Sequence, residues 1–308
     1  MKHSTFKIRT DKIPPLYVTT YRFMQTLIKQ AAALLSTIEV PDLPEVILLL
    51  KEELNKKFPN TVTIANLISK NPQLLAEFLS LVNTNVTKER MPIRDAKAAV
   101  NLLGLDDILN LFVSTIISNT VAKNELEKSI LSHGAKSGLA AAELSYWVYD
   151  VSRSQAYMAG LMQNIGAIYL SKLEPDLYEG MFTASLSNPI SAYQNELKHY
   201  QTSHVYIGSL LAKKWHLQPE IYKTILFHHD MDFAVKTVGD QTIKHLTALT
   251  ILSNYIVSTT EQDQYINQEL KEYRDAAKQV LSLPDNAFTA ATAAVNKWGS
   301  KGLINASH

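Results

Sequence analysis

The chain has 308 residues, 46% of them hydrophobic and 19% charged, which is typical of a folded globular protein with one large or two modest domains. Its 30 lysines and arginines against 29 aspartates and glutamates give a formal net charge of +1, which excludes a global field that recruits nucleic acid or an anionic membrane. There is no cysteine, so disulfides, thiolate nucleophiles and cysteine-containing zinc or iron–sulfur sites are excluded.

The first thirty residues are the one basic part of the chain. They contain a single acidic residue, Asp11, against six basic ones, which are Lys2, Lys7, Arg9, Lys12, Arg22 and Lys29. Because the basic residues are scattered, we expect a solvated extension, and a phosphate-binding arm is the lesser alternative.

We expect a cytoplasmic protein with no membrane association. The N-terminus lacks the apolar stretch of a signal peptide. The most apolar run, residues 108–117, is about half as long as the ~20 residues that are needed to span a bilayer.

Apolar residues recur at three- and four-residue spacing over long windows, whereas strand-like alternation is scarce. We therefore predict an all-α fold, a multi-helix bundle in which an N-terminal helical half packs on a second helical half. In the first half, Asn71 is placed to cap a helix that has Pro72 at its first position. Two further helices meet at Gly104, and Asp106 with Asp107 opens the second of them.

That helix–glycine–helix pair has the outline of a helix-turn-helix motif. A recognition helix needs side chains that reach base edges, and residues 105–117 offer only Asn110. Core packing is therefore the better interpretation.

Several predictions concern the second half. A helix begins at Pro219 and ends at His228 and His229, and residues 173–191 suggest a short helix in a looser connection. Beyond residue 260 we expect two amphipathic helices separated at Pro284. Trp147 and Trp215 lie on apolar helix faces and are expected in the core.

Histidine and amide side chains mark a candidate site. Most of the nine histidines lie between residues 199 and 245, and His133 is expected to open a helix further upstream. A single histidine is most simply explained as a satisfied or exposed side chain. Four of them on successive helices, at positions 133, 204, 228 and 229, indicate a shared site.

Their order along the chain carries a family resemblance. The series consists of His133, the stretch Gly160–Leu161–Met162–Gln163–Asn164–Ile165–Gly166, Glu196 with His204 and Gly208, residues 215–221 followed by His228 and His229, and Asn254. The first half adds Val40–Pro41–Asp42–Leu43–Pro44, Leu81–Val82–Asn83, Ile93, Ala96 and Leu103–Gly104. Together they resemble the HD superfamily of metal-dependent phosphohydrolases, and within it the HDOD domain (HD-related output domain) of bacterial signalling proteins.

The resemblance divides the chain into three parts. Residues 37–260 correspond to the HDOD domain, with an N-terminal helical half at about 37–122 and an HD-like half at about 123–260. Residues 1–36 form a basic N-terminal helical extension, and residues 261–308 form a C-terminal helical extension.

The resemblance also implies where chemistry would occur. Active relatives bind one or two divalent metals at the positions that here are His133, Gln163, Asn164, His204, His228, His229 and Asn254, and a metal-bound hydroxide attacks phosphorus. Three of these seven are amides, which are weak ligands, so we expect no catalytic residue and no bound cofactor. If a residual divalent metal such as zinc or nickel binds, its ligands are His133, His204, His228 and His229.

The amides have a physical rationale. A buried carboxylate without its metal would be an unpaired charge, whereas an amide needs only hydrogen bonds. The small residues Ala156, Gly160 and Ala167 share a helix face with Gln163 and allow close packing, so Gln163 should be buried. We expect Gln163 and Asn164 to bond with His133, His228 or His229.

Three functions remain open. The preferred one is a non-catalytic signalling or regulatory domain that binds a partner protein, with the partner unidentified and a homodimer allowed. The alternative is a divergent metal-dependent phosphohydrolase or nucleotide-binding protein that uses the remaining histidines. The lesser alternative is a nucleic-acid-associated regulator that uses the basic arm.

Overall fold

The structure is a computed structural model and describes residues 15–84, 92–261 and 266–298. Within these ranges the chain forms helices and no strand, which confirms the predicted all-α bundle. Five of the charged residues of the basic arm, up to Lys12, lie outside the described residues. None of the described helices is long and apolar enough to cross a membrane.

The helices are grouped by the division expected from the sequence, which stays a prediction. The N-terminal extension carries α1 (Pro15–Leu35), and the N-terminal half carries α2 (Glu45–Leu54), α3 (Thr61–Ser69), α4 (Pro72–Val82), α5 (Ala96–Leu102) and α6 (Leu105–Thr120). The second half contains α7 (Glu125–Leu144), α8 (Arg153–Met162), α9 (Ile165–Ser171), α10 (Pro175–Ser187), α11 (Pro189–Tyr200), α12 (His204–Lys214), α13 (Pro219–Phe227), α14 (Phe233–Lys236) and α15 (Gln241–Glu261). The C-terminal pair is α16 (Gln268–Lys278) and α17 (Asp285–Trp298).

Local capping explains where several helices begin. The side chain of Asn71 accepts hydrogen bonds from the backbone N–H groups of Gln73 and Leu74, and Pro72 occupies the first turn, as predicted. At the start of α8, Ser152 and Gln155 form a reciprocal capping box. These caps satisfy backbone donors that the first turn of a helix leaves without partners.

Three local predictions were wrong. Residues 173–191 belong to two regular helices, α10 and α11, because Pro175 and Pro189 each occupy a first turn, where proline starts a helix instead of breaking it. His133 lies inside α7 and does not open it. Trp147 is 39% exposed because the chain leaves α7 through a 3-10 turn, Ser145–Trp147, which changes the helical register.

Other predictions were confirmed. Trp215 is buried, and α6 is held in the core by six apolar side chains, Ile108, Leu111, Phe112, Val113, Ile116 and Ile117. The two helices after residue 260 are separated at Pro284.

Hydrogen bonds between the end of α12 and the segment before α2 join the two halves. The indole N–H of Trp215, just after α12, donates to the carbonyl of Pro41 at 3.0 Å. Beside it, Lys214 donates to the carbonyl of Val40 at 3.0 Å. The segment that precedes α2 is therefore fixed against the end of α12, which also carries part of the candidate site.

The predicted terminal extensions contribute to the same core. On α1, Ala31 is fully buried and the carbonyl of Leu27 accepts a hydrogen bond from the hydroxyl of Thr202. On the C-terminal pair, Tyr273 and Ala287 are fully buried. The division at residues 36 and 261 stays a prediction.

Glycines set the closest helix approaches. A Cβ atom on Gly160 of α8 would lie 2.6 Å from the backbone nitrogen of Gly138 on α7. A Cβ atom on Gly166 of α9 would overlap the carbonyl oxygen of His204 and lie 2.6 Å from the nitrogen of Gly208, both on α12. The close packing predicted for the small-residue face is thus present, and it brings residues 163 and 164 next to α12.

Gly166→Ala should destabilise the protein by more than about 3 kcal/mol, because backbone atoms of α12 occupy the place of the new methyl group. The matched control is Gly180→Ala, in the interior of α10, where a Cβ atom meets nothing within 4 Å. That change should stabilise the protein by about 0.5–1 kcal/mol. Urea unfolding of both variants measures the two effects, and equal values would contradict the described helix contact.

Candidate functional site

Five structural segments bring the seven predicted positions into the interior of the second half. His133 is in the middle of α7, Gln163 and Asn164 lie between α8 and α9, His204 begins α12, His228 and His229 follow α13, and Asn254 is on α15. All seven are buried, and none is more than 7% exposed. The site is therefore part of the protein core.

Three histidines form its centre. The Nε2 atoms of His204 and His228 are 3.4 Å apart. The ring of His229 contacts both, edge-on to His204 at a centroid distance of 5.0 Å and tilted to His228 at 4.2 Å. One ring nitrogen of each histidine can be chosen so that all three lie within 4.8 Å of one another. This trihistidine cluster is the only such group of potential metal ligands in the part of the chain that the structure describes.

A buried glutamate orients His204. The carboxylate of Glu196 on α11 lies 2.6 Å from Nδ1 of His204 and also accepts the backbone N–H of His204 at 3.0 Å. The hydroxyl of Tyr178 donates to the same carboxylate at 2.8 Å. The Nδ1–H of His204 thus points at Glu196, which leaves Nε2 facing His228.

His228 is oriented in the same way by backbone. Its Nδ1 lies 2.8 Å from the carbonyl oxygen of Ile225 and donates to it, which leaves Nε2 as an acceptor. When both rings are neutral, two lone pairs face each other across 3.4 Å. The bonds of the two rings to Glu196 and to the carbonyl of Ile225 hold them in this contact.

The remaining positions surround the trihistidine cluster. The amide nitrogen of Asn164 lies 3.3 Å from Nδ1 of His133, as predicted. The amide of Asn254 donates to the hydroxyl of Tyr273 at 3.4 Å, and that hydroxyl donates to the carbonyl of His228 at 2.9 Å. Asn164 thus contacts His133 directly, and Asn254 is linked to His228 through Tyr273.

The prediction for Gln163 was only half correct. It is fully buried, but neither amide atom has a hydrogen-bond partner. Gln163 and Asn164 lie in the turn between α8 and α9, and of the two only Asn164 is bonded to a histidine. An unsatisfied buried amide costs about 1–3 kcal/mol, which makes Gln163 a point of local instability.

Burial keeps two of the histidines neutral. Desolvation, with a further contribution from the neighbouring His204, lowers the pKa of His228 to about 3. Desolvation, followed by His228 and His204, lowers the pKa of His229 well below its ordinary value. Both imidazoles therefore carry free lone pairs at neutral pH, which is the form that binds metals.

The site fits one ion better than the pair of metals that the family resemblance implies. In tetrahedral zinc sites with Zn–N distances of about 2.1 Å, two ligand nitrogens are separated by about 3.4 Å. That value matches the separation of the His204 and His228 nitrogens, and Glu196 supplies the carboxylate that commonly orients a ligating histidine. No carboxylate stands at positions 164 or 254, so the two-metal arrangement lacks its anionic ligands.

One cavity lies beside Asn164 and His204 and is lined also by Phe182 and Tyr193. Its volume of about 10 Å³ holds about one water molecule, so this cavity is too small for a phosphate ester.

Four aromatic or acidic residues of the site were not predicted as site residues. They are Tyr178, Tyr193, Glu196 and Tyr273; the ring of Tyr193 stacks on His229 at 5.2 Å, and burial followed by Glu196 raises the pKa of Tyr178. Glu196 had a signal, because it is eight residues before His204 in the family-like series. The tyrosines had none, since they arrive from α10, α11 and α16 through packing.

The stability of the metal-free protein should fall as the pH drops below about 6.5. There the unfolded chain protonates His228 and His229 while the native chain does not, which costs about 1.4 kcal/mol per histidine for each pH unit. The loss should continue toward the lowered pKa of about 3 for His228. Urea unfolding in chelator at pH 7.5, 6.5 and 5.5 measures it.

Two histidine substitutions, one at the site and one at the surface, serve as the test and the control for that experiment. In His228→Asn the amide nitrogen replaces Nδ1 as the donor to Ile225, and the pH dependence should weaken by about one proton. His199→Gln, at the exposed pair with Glu174, should keep most of the pH dependence of the unfolding free energy. An unchanged slope in His228→Asn would show that His228 is protonated in the native protein.

Asn164→Asp should destabilise the metal-free protein by about 3 kcal/mol at pH 7.5, because it places a carboxylate in the core. Burial raises the pKa of such a carboxyl above its unfolded value, so the deficit should shrink as the pH falls toward 4. Asn286→Asp, exposed in the first turn of α17, is the control and should be neutral or slightly stabilising. Equal stability of both variants at pH 7.5 would mean that position 164 tolerates charge.

Comparison with known proteins identifies the fold and the family. An uncharacterized protein of Treponema pallidum (strain Nichols) is 24% identical over 212 residues, which are 67% of this chain and 41% of that protein, so the chain spans about two fifths of its relative. The structure of an HDOD domain protein of unknown function from Geobacter sulfurreducens is similar with a TM-score of 0.62 and 21% identity, over 89% of this chain and 98% of the other.

A proposed phosphohydrolase from Shewanella amazonensis SB2B gives a TM-score of 0.64 at 18% identity, over 89% of this chain and 94% of that one. A proposed signal transduction protein from Marinobacter aquaeolei VT8 gives a TM-score of 0.55 at 14% identity, over 91% of this chain and 66% of the other. The model of the HDOD domain matches residues 40–231, which is more than half of the sequence and most of the predicted range 37–260. The chain belongs to the HDOD domain family.

Proposed function

We propose that this protein is a non-catalytic, cytoplasmic signalling module that acts by binding another protein, and that the former metal site of its HD-like half now serves as packed core. The support is the chemistry of the site. Amides stand at 164 and 254, where the family mechanism needs carboxylates, and Gln163 points away from any hydrogen-bond partner.

The size of the adjacent cavity supports the same proposal. A phosphodiester needs room for a tetrahedral phosphate and two substituents beside the metal, and the space next to Asn164 and His204 holds about one water. We therefore expect a binding partner of the module to contact its outer surface, since this cavity has no room for a ligand of that size.

Purified untagged protein should show no turnover of phosphodiester or phosphomonoester substrates above the rate of buffer with metal alone. The assay uses bis(4-nitrophenyl) phosphate, 4-nitrophenyl phosphate, a cyclic dinucleotide and a nucleoside triphosphate, each with Mg²⁺, Mn²⁺, Ni²⁺ or Zn²⁺. The control for a contaminating enzyme is His204→Ala. Turnover by the unaltered chain that is lost in His204→Ala would overturn the proposal.

The geometry of the trihistidine cluster favours a second candidate, a protein with one residual divalent metal held by His204, His228 and His229. An ion there would supply Lewis acidity and lower the pKa of a bound water. The residues of the chain would hold the imidazoles in position through Glu196 and the carbonyl of Ile225. His133, the fourth predicted ligand, is paired through Nδ1 with Asn164, and its place in the ligand set stays a prediction.

Metal content of untagged protein separates the two candidates without an activity assay. Mass spectrometry of protein isolated without added metal should find well below one zinc, nickel or manganese per chain if the first proposal holds. One metal per chain, lost in His229→Ala and retained in His199→Ala, would favour the second candidate.

A further inference from the structure

Five apolar side chains on the second half are exposed although they are large or branched. Tyr146, Trp147 and Tyr149 follow α7 and are 51%, 39% and 106% exposed, and Val235 and Val238 near α14 are 72% and 75% exposed. These five residues are called the aromatic edge below. Tyrosine and tryptophan are the residue types that most often dominate binding energy in protein interfaces.

The two segments that carry the aromatic edge meet at Asp150. Its carboxylate lies 2.6 Å from Nδ1 of His245 and accepts a hydrogen bond from the hydroxyl of Thr242 at 3.3 Å. Asp150 follows Tyr149 directly, and Thr242 is four residues after Val238 across a tight turn. The segments that carry the aromatic and the valine side chains are therefore held next to each other.

Two cationic side chains next to the aromatic edge are paired within the chain. The guanidinium of Arg153 lies 4.1 Å from the ring centre of Tyr146 and 3.6 Å from the carboxylate of Glu143. Lys236, between the two valines, lies 2.6 Å from Asp230. In a two-fold contact each cation can come close to its copy, and because both are already paired, this repulsion is reduced.

The exposed area suits a dimer. The three aromatic residues together expose the equivalent of about two whole side chains, which is roughly 300–500 Å². A standard interface buries about 800 Å² per partner, of which about 60% is apolar. The aromatic edge, with its two valines, thus supplies the apolar share of one side of such an interface.

We propose that the aromatic edge is a self-association face through which two copies of this chain form a two-fold symmetric dimer. The proposal is independent of whether the buried site holds a metal, because the edge is formed by other residues on the surface. It also gives a function to Trp147, which was predicted to lie in the core and is exposed. The test below distinguishes this dimer from the binding of a different protein at the same face.

Sedimentation equilibrium of the full chain over a hundredfold range of concentration is the first test. The expected result is a monomer–dimer equilibrium, with association at least tenfold weaker in Tyr149→Glu and in Val238→Glu. The matched control is Phe58→Glu, at a residue that is 80% exposed on the loop between α2 and α3, and it should leave the dimer unchanged.

A second measurement does not depend on a charged substitution. Because the chain has no cysteine, Tyr149→Cys introduces a unique thiol. Its reaction rate with a thiol reagent should fall as protein concentration rises and the dimer forms, whereas the rate for Phe58→Cys should stay constant. A chain that is monomeric at all concentrations would overturn the proposal and leave the edge to a different protein, and so would a dimer that the edge variants do not weaken.

Discussion

The backbones of α9 and α12 come together at Gly166 and Gly208, so closely that a single methyl group on Gly166 would overlap the carbonyl of His204. The rest of the site depends on this contact. It places the residues that precede α9 beside the first turn of α12, where Glu196 from α11 fixes the ring of His204. The same first turn then meets His228 at the end of α13. A loose packing at this point would separate the asparagine and histidine sides of the site.

The polar centre that results is compatible with a core that contains no metal. Neutral groups stand at every position where the family mechanism uses an anion, and the one buried carboxylate at the centre, Glu196, is bonded to Tyr178 and His204. A buried charge is tolerated when it is paired and hydrogen-bonded, whereas an isolated one is costly. Amides at 164 and 254 therefore remove a requirement for metal while they keep side chains of nearly the same volume. Gln163 is the exception, because neither of its buried amide atoms has a hydrogen-bond partner.

Much of the fold could be predicted from the sequence, because apolar spacing and capping residues act locally. Asn71 with Pro72, the break at Gly104 and the two C-terminal helices are examples. The residues of the site could be predicted because their order along the chain resembles that of the family. That order placed His133, Asn164 and the trihistidine cluster together. The tyrosines of the site come from helices distant in sequence and have no local signal. Trp147 was misplaced because a 3-10 turn shifts the register after α7. The burial of Gln163 could be predicted from its small neighbours, whereas its lack of a hydrogen-bond partner depends on packing that has no local signal.

The central claim is that the buried site is stable without metal, and the free energy of unfolding tests it directly. Urea unfolding of untagged protein would be measured after exhaustive chelation and again with saturating Zn²⁺. The account predicts the same free energy within about 0.5 kcal/mol. A ligand that binds the folded state alone at a hundred times its Kd stabilises it by about 2.7 kcal/mol. A zinc-dependent gain of that size, absent in His228→Asn, would contradict the account.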